Sequence, residues 1–232
     1  MIDGTTFDWN NSAISADPFA NRDPRFAKSI LFNGAKWMNN TTIETFEGGK
    51  DKIGNKATRT GFYLRKFLSV NARWNAPVGT ANHSFPLFRY GEVLLNYAEA
   101  MNEAYGPDDP ATYGMTARQA IALIRTRAGL TANQTVPTAN NKATMRDVIH
   151  HERRIEVAFE EHRHLDLRRW KTAEQVLNQP VHGLKIVKND DGTFTYTPEV
   201  VEQRVFQSKM YLYPFPQGEI SRNSSLIQNT GW

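Results

Sequence analysis

No cysteine occurs in the 232 residues. That excludes disulfides, thiolate metal ligands and a cysteine nucleophile together. The compartment stays open, because a chain this long buries a sizeable core without disulfides in either redox environment. Long apolar runs are also missing, and none approaches the roughly 18 residues that a membrane-spanning helix needs. The opening Met1-Ile2-Asp3-Gly4 has neither the basic start nor the apolar stretch of a secretory signal. There is no glycine-rich phosphate loop and no G-x-S-x-G nucleophile turn. Charge of one sign is not in large excess, with 28 Lys and Arg against 24 Asp and Glu. In the most charged stretch, residues 146–171, seven basic residues interleave with six acidic ones. A nucleic-acid surface needs its positive charge gathered on one face, so pairing within the protein is the expected use and no nucleic-acid partner is expected. With 40% apolar and 22% charged residues, the composition is that of an ordinary soluble globular chain.

Two textures divide the sequence. Residues 1–85 are rich in Asn, Gly, Thr and scattered aromatics, and pairs such as Asn39-Asn40 and Gly48-Gly49 predict loops. One aromatic run, residues 61–68, predicts a short strand. Residues 86–232 are helical in pattern. Tyr90, Val93, Leu94, Tyr97, Ala98 and Met101 form a stripe at helical spacing, beginning after Pro86 and stopped by Gly106-Pro107. A second stripe runs through Ala117, Ala120, Ile121, Ile124 and Ala128, with Thr116 placed to cap its start and Gly129 its end. Two helices so joined form an antiparallel pair of the tetratricopeptide type, which needs neighbours to cover its outer faces.

A third helix is predicted from about Thr144, with Met145, Val148, Ile149, Ile155 and Phe159 on one side. If it continues toward Trp170, Glu160 with Arg163 and Asp166 with Arg169 become ion pairs one turn apart. Asp190-Asp191-Gly192 between strand-forming residues predicts a hairpin, and Pro214 and Pro216 an extended segment. The expected fold is mainly α: a tetratricopeptide-like helix pair plus further helices, with long irregular loops and a small β-hairpin.

Several blocks taken together resemble the SusD/RagB family. They are Asp23-Pro24-Arg25-Phe26, Gly61 to Lys66, Arg89-Tyr90-Gly91-Glu92-Val93-Leu94-Leu95 running into Tyr97-Ala98-Glu99-Ala100, and Glu152-Arg153 with Glu156, Phe159-Glu160, Arg163, Asp166-Leu167 and Arg169-Trp170. The ending, Leu212-Tyr213-Pro214-Phe215-Pro216, Glu219 and Gln228 to Trp232, is similar to the family's close. The resemblance implies a nutrient-binding lipoprotein at the extracellular face of the outer membrane. Its members usually bind glycans and cap a SusC-like TonB-dependent transporter. They are typically about twice this length, with a signal peptide and a lipid-bearing cysteine, so the chain reads as a C-terminal half, and contact with the membrane would be only through a lipid anchor absent from it.

The candidate site residues fall in two groups. Glu152, Glu156, Glu160, Arg163, Asp166 and Arg169 could serve acid–base chemistry of the glycosidase kind. The structural reading is preferred, because fixed arginines lower carboxylate pKa values where a general acid needs one raised. His150, His151, His162 and His164 lack the H-E-x-x-H spacing, so no metal, no cofactor and no enzyme activity are expected. For sugar binding, aromatic faces stack on sugar rings while amides and charges bond the hydroxyls. Trp9, Trp37 and Trp74 sit beside asparagines in the loop-rich region and are the candidate glycan platforms; plugging of loop packing is the alternative use of each. Trp37 is favoured for its neighbouring turn residues. Trp170 and Trp232 lie within the helical and terminal motifs and are expected to pack. The rival to glycan binding is a helical-repeat scaffold that contacts only protein.

Overall fold

The computed structural model describes residues 1–2, 5–52, 54, 57–71, 84, 86–131, 134 and 136–232; Trp74 lies outside them. Up to residue 71, side chains take over much of the backbone pairing that long ladders supply elsewhere. Helix α1 (Ser12–Ala16) starts where the Asn11 side chain accepts from the N–H groups of Ala13 and Ile14. Helix α2 (Phe26–Ser29) runs into strand β1 (Ile30–Leu31). Strands β2 (Lys36–Trp37) and β3 (Thr41–Thr42) pair across a turn in which Asn39 and Asn40 both have positive φ. Strand β4 (Tyr63–Leu64) pairs antiparallel with β1. The strand expected over residues 61–68 is thus two residues long. It ends because the N–H groups of Arg65 and Lys66 both turn to the Ser29 carbonyl.

The helical part follows the apolar stripes closely at two of its three long helices. Helix α3 (Tyr90–Tyr105) ends at Gly106, and α4 (Ala117–Ala128) is framed by a Thr116–Gln119 capping box and by Gly129 in the left-handed conformation. Helix α5 (Lys142–Glu156) is capped by Asn141. Leu94, Leu95, Ala98 and Met101 of α3 pack with Ala120, Ile121 and Ile124 of α4 and with Met145 and Ile149 of α5 in one core. Tyr97 joins it and donates its hydroxyl to the Met115 carbonyl at 2.6 Å. Tyr90, expected on the packed face, is instead 71% exposed, and Val93 is exposed as well. The reason is local: Arg89, just before the helix, is turned inward to the carboxylates of the α5 end, which points the next residue outward.

After α5 the chain does not continue as helix. Residues 157–161 turn, with Phe159 and Glu161 at φ 65°, and Phe159 is exposed. Helix α6 (His162–Arg169) and the short α7 (Ala173–Leu177) follow, burying Leu167 and Ala173 against Phe206. Strands β5 (Val181–Lys188) and β6 (Phe194–Glu202) form the expected hairpin, with Gly192 at positive φ in its turn. The free edge of β5 bonds to the loops: Leu184 N–H to the Thr60 carbonyl at 2.9 Å, and Glu47 N–H to that of Ile186 at 2.8 Å. The extended segment around Pro214 is stitched to the chain end. Gln228 both accepts from Phe215 N–H and donates to its carbonyl, and Trp232 Nε1–H donates to the Lys209 and Leu212 carbonyls. A helix not expected from sequence, α8 (Gln217–Arg222), sits between the two stitched segments of this ending. Among the described residues the chain is mainly helical, with eight α-helices and three two-stranded sheets.

Candidate functional site

Where α5 ends, carboxylates from its last turn and the following turn meet cations from four other places in the chain. Glu152 and Glu156, both almost fully buried, share Arg25, whose Nη1–H groups donate at 2.6 and 3.0 Å. The rest of that guanidinium grips Asp23 as a fork, Nε to Oδ1 at 3.0 Å and Nη2 to Oδ2 at 2.7 Å. Arg125 of α4 completes Glu152 at 2.8 Å, while Arg89 and Arg127 both reach Glu156. Glu160 accepts from Arg89 Nε at 2.6 Å and from Lys66. Lys66 Nζ also donates to the carbonyls of Glu156 and Ala158, so it caps the end of α5. Burial alone pushes Glu156 and Glu160 upward, but the arginine bonds, with Lys66 at Glu160, outweigh it and hold both carboxyls below the ordinary range.

A second group lies along α6. Arg153 and Arg169 both donate to Asp166, at 2.6 and 2.9 Å, and Arg169 also forks onto Glu99 of α3. Trp170 Nε1–H donates to the same Glu99, and its ring stacks on His150 with centroids 3.5 Å apart. Arg163 is the exception among the residues expected to pair. The turn at 157–161 breaks the helix, so Glu160 is no longer one turn below it, and Arg163 makes no ion pair among the described residues. Burial, together with the nearby Arg154, lowers its pKa. Sequence reasoning centred on residues 152–169 missed Arg25, Lys66, Arg89, Arg125 and Arg127. The signal was present: Arg25, Lys66 and Arg89 each belong to a block that carries the family resemblance.

The aromatic candidates are placed differently. Trp37 is half-buried on β2, with the Arg65 guanidinium 5.4 Å from its ring centroid. Trp9 is half-buried and set edge-on to Phe7 at 5.0 Å. Of the asparagines beside them, Asn11 caps α1 and Asn10 bonds to Asp8, so these two serve the loop. An open groove of about 680 Å³ lies where the loops meet the hairpin, with Asp17, Phe19, Asn33, Phe194 and Tyr196 in its wall. Neither Trp9 nor Trp37 lines it. Burial, then the Asp17 charge, push the Tyr196 phenol above its usual range against the opposing Asn33 amide, so it stays a hydrogen-bond donor. A second cleft, about 720 Å³, is lined by arginines 22, 25, 125 and 154 together with Phe7 and Phe26.

The comparisons with known proteins agree. The SusD family matches over residues 1–232. A SusD-like protein P2 from Formosa agariphila is 32% identical over 189 residues, 79% of this chain and 32% of the relative. Two solved Bacteroides fragilis structures each align over 97% of the chain. A SusD-like protein has TM-score 0.78 at 30% identity, with 41% of it covered, and a SusD-like carbohydrate binding protein has TM-score 0.73 at 29% identity, with 45% covered. The chain therefore spans about a third of the curated relative and less than half of either structure. With a family match along its whole length, the chain belongs to the SusD family.

Proposed function

We propose that this chain is part of a surface protein that binds a glycan nutrient without cleaving it and passes it to a SusC-like TonB-dependent transporter. The observation that carries the reading is the family match along all 232 residues, joined to a structural relative described as carbohydrate binding. The non-catalytic half of the reading rests on the carboxylates. Glycosidase chemistry needs one carboxyl with a raised pKa, whereas Glu156 and Glu160 are lowered and every oxygen of the pair is engaged by a cation. The place of work is the extracellular face of the outer membrane. None of the helices in the described residues is long and apolar enough to cross a membrane, which fits attachment through a lipid carried outside these residues.

Trp37, and with it Trp9 and Trp74, are the proposed stacking platforms. Isothermal titration of the full-length protein against soluble polysaccharides tests the reading. A glycan should bind, and Trp37→Ala should weaken it about fivefold, the equivalent of roughly 1 kcal/mol of aromatic contact. Absence of binding across the panel, with retained protein contacts, would leave the protein-only scaffold instead. Recovery with the transporter from native outer membranes in mild detergent tests the partner; recovery as a free monomer argues against it.

A further inference from the structure

We infer that the groove bounded by Phe19, Phe194 and Tyr196 is a subsite for an uncharged sugar residue, separate from the tryptophan platforms; the inference rests on the carbohydrate-binding reading above. Three half-buried rings surround one opening. Phe19 meets Tyr196 at 5.4 Å with the ring planes 83° apart, so the two form adjoining walls of a corner. Phe194 lies 6.3 Å from Tyr196 on the same strand. The two are i and i+2 on β6 and so share a face of the hairpin. Such a corner offers flat apolar surface to the C–H face of a pyranose while leaving its edge free for polar contacts.

The polar groups stand at that edge. Asp17 accepts from the N–H groups of Phe19 and Ala20, and both bonds go to Oδ1. Its Oδ2 is left without a protein donor among the described residues. Asn33 is almost fully buried, and its Oδ1 is taken by Thr45 N–H, which leaves its amide N–H₂ toward the Tyr196 phenol. Adjacent sugar hydroxyls need an acceptor beside a donor, and Asp17 Oδ2 with the Tyr196 hydroxyl supplies both. Packing explains the rings, since Phe19 also touches Phe26, Phe32 and Phe62. Asp17 is exposed, so its second oxygen stays open to a ligand's hydroxyl.

Charge decides the class of ligand. Among the described residues Asp17 is the sole charged side chain lining the groove, and none of them puts a Lys, Arg or His in its wall. A uronate or sulfated sugar would face a carboxylate with no cation to offset it, whereas a neutral sugar meets a good acceptor. The volume, about 680 Å³, is within the roughly 300–1,000 Å³ usual for small-molecule sites.

The experiment is isothermal titration of the full-length protein against amylopectin, xyloglucan, galactomannan and, as the anionic arm, alginate. Three variants accompany the wild type. Asp17→Asn keeps an oxygen for the turn while removing the charge, Tyr196→Phe keeps the ring, and Phe194→Ala removes a wall. Circular dichroism melts accompany each titration, so a variant that fails to fold is set aside and the two conservative ones decide. The inference expects a neutral polysaccharide to bind, and Tyr196→Phe to weaken it about fivefold. Asp17→Asn should weaken it about tenfold or more, as loss of a charged acceptor does. Each loss should multiply with that of Trp37→Ala. If a neutral glycan binds, Trp37→Ala weakens it and the folded groove variants do not, the groove assignment falls and the carbohydrate-binding function stands. Binding of alginate alone overturns the neutral assignment. Failure of every polysaccharide to bind overturns both.

Discussion

Arg25→Ala removes the one cation among the described residues that touches Glu152 and Glu156 together. Both carboxylates are almost fully buried, at 1% and 3% exposure, and the Arg25 side chain itself is only 12% exposed. Breaking a buried ion pair from one side costs about 3–5 kcal/mol, because the remaining charge stays in a poor solvent. Here the lower end applies. Arg125 still holds Glu152, and Arg89 and Arg127 still hold Glu156. A loss of about 3 kcal/mol lowers Tm by about 6–12 °C at the roughly 2–4 °C per kcal/mol expected for 150–250 residues. Arg25→Lys should fall between wild type and alanine, since one ammonium cannot grip Asp23 as a fork and also reach two glutamates.

Arg163→Ala is the matched control. It lies in the same charged stretch but makes no ion pair among the described residues, so its removal should cost under about 1 kcal/mol. Thermal and urea melts followed by far-ultraviolet circular dichroism compare the three variants directly. If Arg163→Ala melts as low as Arg25→Ala, or Arg25→Ala melts with wild type, then the α5 end is not held by this pairing.

Two further outcomes follow from the same contacts. Asp23, Glu99, Glu156 and Glu160 all have lowered pKa values in the fold, so the stability they add is complete above about pH 4.3 and lost as pH falls through their folded values. His150 is lowered chiefly by burial and has the same sign from about pH 6.5 downward; Tm measured from pH 8 to 3 should decline gently and then steeply, and a rise below pH 4.3 would contradict the assignment. Gly91→Ala should lower Tm although alanine favours helix by about 1 kcal/mol, because a Cβ there would lie 2.6 Å from Arg89 Nη1 and 3.0 Å from Glu156 Oε1. A higher Tm would mean that Arg89 moves aside freely.

The long helices were legible because each carries its own stripe and its own stops. For α4, Thr116, the Ala-Ile spacing and Gly129 are all local, and the observed helix obeys them. The end of α5 was not legible. Val157 and Phe159 keep an apolar pattern, and Glu160 and Arg163 are well spaced to pair, so locally nothing stops the helix. What stops it comes from far away: Lys66 takes the carbonyls of Glu156 and Ala158, and Arg89 takes that of Glu156 as well. Those bonds hold the carbonyls away from the helical partners they would otherwise have. Tertiary contacts override local propensity here, and with the helix the expected Glu160–Arg163 pair is lost.

The same logic separates the two kinds of candidate site. Tryptophans beside asparagines in a loop-rich stretch stand out in a sequence, and Trp9, Trp37 and Trp74 have that marker. The groove has no such marker. Asp17 and Asn33 look like two more loop residues, and both also do loop work, bonding to N–H groups at residues 19, 20 and 45. Only the alternation in β6 shows that Phe194 and Tyr196 share a face, and nothing local says what the face meets. It meets residues more than 160 positions earlier because the loops are bonded to the free edge of β5 through Thr60 and Glu47. The charged blocks complete this arrangement from the other side, since Arg25 ties the segment just after Phe19 to α5. A change in the ion pairs therefore reaches the groove through the loop between Phe19 and Arg25. Arg25→Ala should loosen the Phe19 wall before it touches the hairpin. Amide exchange checks this: protection should fall at residues 19–31 in the variant while that across β5 and β6 is kept, and equal loss at both would show that loops and hairpin open as one unit.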